Sequence, residues 1–423
     1  MHYNWLKGGK IMANLSEVQG IIPTAFTNND ESYFDIPVDF SGLLSKKWNF
    51  KKQLVGTDDV IPMWIADMDF KTAPCVTEAL TKRAGGFVYG YAAVPESYNE
   101  ALVNWFKTRH NWTIDPKTIF QIPGVVPALH VATEAFTMPG DYILMQTPVY
   151  HPFYRVANNM GRKILENPLK RLRDSYAVDF LDLEEKIKKY KPKIMFLCNP
   201  HNPLGKVFTK EELVVIGKLC IKYNVITIVD EIHCDIVYSD AKHIAYAAIS
   251  EEFADNAIIC TAASKTFNIA GLRNSNIVIP SVKLREAFAK AHAYFGYPGT
   301  GPFPLIACEA AYSYGAGWQD KCMQYLERNR DLAIDFLRTQ LPKVSVHKPQ
   351  GTYFLWLDFS AYGFTSKELE KFLLFEAKIW LNQGYIFGSA GIGYARMNIA
   401  CNRATLITAL KQLKAALDKS IVL

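Results

Sequence analysis

What is scarce in this chain narrows its class before any motif is read. The opening stretch 1–33, MHYNWLKGGKIMANLSEVQGIIPTAFTNNDESY, has no apolar run long enough for a signal peptide or a membrane span. The eight cysteines, at 75, 198, 220, 234, 260, 308, 322 and 401, make no C-x-x-C pair and have no histidine pair at zinc spacing nearby. That scatter argues against a disulfide framework or a structural metal and for a reducing compartment, so a cytoplasmic protein is expected. Internal repeats and low-complexity tracts are missing too, which removes solenoids and fibrous arrays. An excess of one charge is equally lacking: the formal net charge is +6 over 423 residues. The basic clusters KRLR (170–173) and EEKIKKYKPK (184–193) are short or mixed with acids. They read as solvated faces, and neither nucleic acid nor membrane is expected as a partner.

What is present is material for a large core, with 49% hydrophobic residues and 13% aromatics. Residues 1–33 read as a loosely structured tail or arm, with Met12 a second candidate start. Further on, short apolar runs alternate with helical patterns. YILMQTP (142–148), KIMFLCNP (193–200), VITIVDE (225–231) and NAIICTAASK (256–265) have the length of buried strands. Between them VVPALHVATEAFTM (125–138) sets Leu129, Ala132 and Phe136 on one face, with Pro127 near the start, where a missing N–H costs least. TKEELVVIGKLCIKYN opens on a Thr209–Glu212 capping box and carries Leu213, Ile216 and Cys220 as a stripe. Such alternation predicts an α/β fold with a mainly parallel sheet covered on both faces.

The last hundred residues differ. A helix near 318–340 leads into VSVHKPQGTYFLWLDFS, which alternates like strands, and a final amphipathic helix uses Leu406, Leu410, Leu413 and Leu417. This predicts a small α+β domain from 34–75 and 318–423, beside a large domain over 76–317.

In open α/β sheets ligands gather at the carboxyl ends of strands. Four such ends carry reactive types: Tyr150 at the end of TPVY, Asn202 in NPHNPLG, Asp230 and His233 in DEIH, and Lys265 in TAASK. Each has a plain alternative. Asn202 suits a turn, Asp230 a helix cap, Tyr150 the core, and a lone lysine can snorkel. Together they match the needs of pyridoxal phosphate. Its aldehyde condenses with a lysine amine, and its pyridine nitrogen keeps a proton only beside a carboxylate. Its phenolate oxygen takes an amide donor, and its ring takes an aromatic face. Its phosphate needs N–H groups at a helix start and an arginine. Val125 and Val126, after Gly124, supply the former; Ser264 and Arg273 can reach the same anion.

The motifs PGVVPAL, NPHNPLG, DEIHCD and SKTFNIAGLR resemble the class I/II aminotransferase-like, fold-type I pyridoxal phosphate superfamily. VIPMWIADMDF, VYGY, TPVYHPFY and ARMNIACNRATL narrow the resemblance to its cystathionine β-lyase (C–S lyase) branch, from about residue 35 to 418. The resemblance implies a large cofactor-binding domain with a seven-stranded, mainly parallel sheet between helices. It implies that Lys265 holds the cofactor and shuttles the Cα proton, Asp230 pairs the pyridine nitrogen, Asn202 bonds the phenolate oxygen, and Tyr150 stacks on the ring. Tyr91 would reach the phosphate of the neighbouring subunit in a homodimer, and Arg396 would clamp the substrate α-carboxylate. His233 stands where many relatives have tyrosine, as is typical of the lyase branch. Ala262 stands where a hydroxyl residue is common, and Arg273 follows the wider superfamily. Two chemistries share these residues: β-elimination from cystathionine, cysteine or related S-conjugates to thiol, ammonia and pyruvate, which the branch favours, and transamination to a 2-oxo acid. Trp64 and Tyr394 are further candidates for the substrate pocket. A non-catalytic pyridoxal phosphate-binding regulator fits poorly, because no helix-turn-helix pattern occurs in the short segment before the core.

Overall fold

The computed structural model describes residues 32–297 and 299–420. All but the last two residues of the 1–33 tail, and Met12 with them, lie outside the described residues. Seven strands form the main sheet: β1 (Ile119–Ile122), β2 (Tyr142–Thr147), β3 (Lys163–Pro168), β4 (Ile194–Cys198), β5 (Ile226–Asp230), β6 (Ala257–Thr261) and β7 (Ser275–Val278). Their spatial order is β1-β7-β6-β5-β4-β2-β3. β7 is antiparallel to both neighbours, and the other pairs are parallel. Two reversals cancel, so β1 runs the same way as β6. The carboxyl ends of β1, β2, β4, β5 and β6 therefore meet at one edge of the sheet.

The apolar runs become the central strands because helices cover both faces; every residue of β4 and β6 is buried. Lys163–Pro168, at the rim, alternates in burial instead. The run 256–265 is strand only as far as Thr261. Pairing with β7 ends at Thr261–Asn276, and Ala263–Thr266 forms a helical turn that carries Lys265.

Five helices frame the site and its surroundings: α1 (Glu96–His110), α2 (Val125–Phe136), α3 (Lys210–Lys222), α4 (Ala316–Gln340) and α5 (Arg403–Ser420). The Thr209–Glu212 capping box opens α3, and Leu213, Ile216 and Cys220 on it are fully buried. On α5 Leu406, Leu410, Leu413 and Leu417 are fully buried, each contributing about 2 kcal/mol by leaving water. A second, antiparallel sheet joins Ser345–Val346, Phe354–Asp358, Tyr394–Asn398 and Asn382–Gln383 in that order. The early chain is stitched to this region. Ile61–Pro62 pairs in parallel with Ile379–Trp380, and Asn398 N–H donates to Met63 O. No helix among the described residues is long and apolar enough to cross a membrane.

Candidate active site

At the shared edge of the main sheet lies a cavity of about 180 Å3. Val125, Val126, Tyr150, Asn202, Asp230, His233, Ser264, Lys265 and Arg273 all line it. Local sequence explains the placement. Gly124 sits at φ 121, a conformation that disfavours other residues, and turns the chain from β1 into α2. The N–H groups of Val125 and Val126 fall in the first turn of α2, where the helix supplies no acceptors, a geometry suited to holding an anion. Ala262 lines the cavity without a hydroxyl. Thr261 does not substitute for it: its Oγ1 donates to Asn276 O, 3.1 Å away inside the sheet.

Asp230 ends β5, and its Oδ1 accepts from Ile232 N–H at 3.2 Å. It forms no ion pair among the described residues. Burial pushes its carboxyl up to about 7, with Glu231 adding to the rise; the Ile232 N–H and Lys265 only partly offset it. Lys265 Nζ donates to Ala66 O at 2.7 Å and stands 4.0 Å from Asp67 Oδ1. Burial holds this amine below its ordinary pKa, favouring the neutral, nucleophilic form; Asp67 opposes the shift. His233 is buried, its Nδ1 has no partner among the described residues, and burial holds its ring well below its ordinary pKa. The Tyr150 hydroxyl is pushed to about 12 by burial and by Asp230.

Arg396, on the second sheet, is 2% exposed. It donates to Asn202 Oδ1 at 2.7 Å, Trp64 O at 2.8 Å and Asn382 Oδ1 at 2.6 Å. Its guanidinium lies over the Phe354 ring, 4.0 Å from the centroid. No carboxylate pairs it among the described residues, and burial lowers it to about 10. Because Asn202 spends its oxygen on Arg396, its amide N–H groups are left as donors towards the cavity. Tyr91 lies outside its own chain's cavity and is fully exposed. Trp64 reaches the site through its carbonyl and stacks on Trp380. The Tyr394 hydroxyl accepts from Arg171, and its ring stacks on Trp356.

Three participants carried no side-chain signal of their own. Ala66 acts through its carbonyl, although WIADMDF surrounds it. Asn382 steadies Arg396. Cys198 lines the cavity, and its Sγ accepts from Asn202 N–H at 3.4 Å.

The donor set suits pyridoxal phosphate. A buried carboxylate, without a counter-cation among the described residues, faces a cavity that also holds an amine lowered in pKa by burial, amide donors, an aromatic ring and the N–H groups of a helix start. Comparison with known proteins agrees. Residues 58–413 match the model of the family described as aminotransferase class I and II. The chain is 42% identical over 385 residues to cystathionine beta-lyase PatB of Bacillus subtilis (strain 168), covering 91% of this chain and 100% of that one. Its fold is similar to cystalysin from Treponema denticola, which contains a pyridoxal 5'-phosphate cofactor, with TM-score 0.88, 35% identity, and 91% and 98% of the two chains covered. The PLP-bound C-S lyase from Staphylococcus hominis, complexed with L-cycloserine, matches with TM-score 0.87 and 31% identity over 93% and 99%. On the extent of the family match and of these identities, the chain belongs to the aminotransferase class I and II family.

Proposed function

We propose that this protein is a pyridoxal phosphate-dependent carbon–sulfur β-lyase. It converts L-cystathionine, cysteine or a related S-conjugate, with one water, to a thiol, ammonia and pyruvate. The observation that carries the reading is Asp230: a buried acid at about 7 that wants a cation, in one cavity with the Lys265 amine. The lyase relatives favour elimination over transamination.

When bound, pyridoxal phosphate supplies an electrophilic carbon for an amine and a ring that accepts electron density from the substrate Cα. The Val125 and Val126 N–H groups, Ser264 and Arg273 would hold its phosphate. Tyr150 would face the ring, and an Asn202 N–H would donate to its phenolate oxygen. Asp230 would keep a proton on its pyridine nitrogen, and in doing so recover its own charge. Arg396 orients the substrate by its α-carboxylate through a two-pronged contact. Lys265 then removes the Cα proton, a task suited to an amine kept below its ordinary pKa. The thiolate leaves from Cβ and takes up a proton. His233, neutral and next to the ring site, supports the cofactor's position.

A symmetric homodimer completes this reading. Phe87, Val88, Tyr89 and Tyr91 are all largely exposed on one short stretch, an apolar run that a second subunit would cover. Tyr91 would meet the phosphate of the neighbouring subunit. The division into a large domain (76–317) and a small one (34–75 with 318–423) is supported by the pairing of 61–62 with 379–380. Eight unpaired thiols support a cytoplasmic location.

The test is to incubate purified protein with L-cystathionine or L-cysteine and follow pyruvate and free thiol or sulfide, without and then with a 2-oxo acid. Pyruvate and thiol without an acceptor are expected. Turnover only with an acceptor would replace the lyase with a transaminase.

A further inference from the structure

Outside the cofactor cavity, metal-ligating side chains meet on the turn after His233. We propose that His110, Cys234 and Asp235 form a site for a zinc-class divalent cation, reached from a surface cavity of about 450 Å3. An imidazole nitrogen, a thiol sulfur and a carboxylate oxygen, one from each residue, lie within 4.8 Å of one another. His110 is the last residue of α1, 125 positions from Asp235, so no short spacing motif announces the group. His110 Nε2 stands 2.7 Å from Asp235 Oδ1.

A separate observation points to a ligand. His243 lines the same cavity with its side chain 2% exposed, yet neither ring nitrogen has a hydrogen-bonding partner among the described residues. Its ring centre is 5.4 Å from that of His110, and its Nε2 is 3.6 Å from Glu231 Oε1. Glu231 Oε2, fully buried, is likewise without a partner among the described residues. Buried polar groups are nearly always paired. A hydrated cation in this cavity supplies a partner for the His243 ring, which lines it.

The chemistry fits. Trp105 Nε1 and Thr266 Oγ1 donate to the Asp235 carboxylate at 3.0 and 2.7 Å, the kind of support that fixes a ligating group. Sulfur and imidazole select zinc over magnesium or calcium. One thiolate and one carboxylate balance a double positive charge, so the filled site is neutral. On binding, the Cys234 S–H bond breaks, its proton goes to solvent, and a sulfur–metal bond forms. His110 binds as the neutral ring, its proton moved to Nδ1, and water or His243 takes the fourth position. The cation then clamps the end of α1 to the turn bearing His233.

To test this, the holoenzyme is loaded with zinc chloride and dialysed. Metal content, proton release and competition against a chromophoric chelator are measured while cofactor absorbance is monitored. One zinc per chain is expected, with one proton released. Cys234→Ser and His110→Gln are each expected to weaken binding at least about 100-fold, the upper end for losing a supporting partner, with cofactor content unchanged. Zinc retained equally by both variants, or not retained by the wild type, overturns the proposal. Should a variant fail to fold, cobalt(II) added to the wild type decides: tetrahedral visible bands with a thiolate charge-transfer band support the site, and their absence overturns it.

Discussion

Replacing Asp230 by asparagine should raise the stability of the cofactor-free protein and cripple the holoenzyme. In the cofactor-free fold the carboxyl sits at about 7 rather than its ordinary 3.8. At 1.36 kcal/mol for each step of one in pKa, the ionised form costs about 4 kcal/mol. A carboxyl raised in the folded state binds its proton longer than the unfolded chain does. Stability therefore falls as pH rises from about 4 to about 7 and levels off beyond. Roughly 2.5 kcal/mol of the loss falls between pH 5 and pH 8. Asparagine is neutral and can accept the same Ile232 N–H, so the variant lacks this slope. Urea titrations of both cofactor-free proteins at pH 5 and pH 8 should show the wild type losing ground to the variant by that amount. With cofactor the order reverses: the variant should lose a cation–carboxylate pair worth about 3–5 kcal/mol, and pyruvate formation should drop by at least a hundredfold. Equal pH slopes for the two cofactor-free proteins would refute the reasoning, whatever happens to activity.

Lys265→Ala should abolish the absorbance of lysine-bound cofactor and cut pyruvate formation by about 10²–10⁴-fold, read by visible spectroscopy and a coupled assay. Arg396→Lys keeps the charge but loses the fork; a rise in KM of roughly 10- to 100-fold is expected, as for losing one charge-assisted hydrogen bond. Tyr91→Phe removes only a hydroxyl from a fully exposed ring, so urea stability should stay put while cofactor affinity, measured by dialysis and fluorescence, falls. Gly384→Ala would bring a Cβ to 2.0 Å from Gly391 O and 2.6 Å from Tyr394 O, and thermal unfolding should register a loss of about 1–3 kcal/mol.

The centre of the main sheet was legible because strands covered on both faces must be apolar throughout, as β4 and β6 are. β7 was not legible. Its Ser275 and Asn276 are polar yet buried, satisfied by Ile122 O and by the Tyr98 hydroxyl, partners more than 150 positions away. The candidate site was readable where chemistry sits on side chains at strand ends, from Tyr150 to Lys265. It was unreadable where backbone does the holding, as with Ala66 O on Lys265 and Trp64 O on Arg396. Asn382 carries no mark in the sequence that separates it from a surface asparagine. The helical turn at Ala263–Thr266 was hidden because no glycine or proline marks where the apolar strand stops and the short polar turn begins.

Arg396 couples two demands on the molecule. Its guanidinium is already knotted to the loop after β4, to the early chain at Trp64 and to the second sheet at Asn382. On the function proposed above, an incoming acid group would join an occupied junction rather than fill a vacant socket. Recognition of that group and cohesion between distant stretches of chain would then be vested in a single residue, so that evolution could not loosen one without loosening the other.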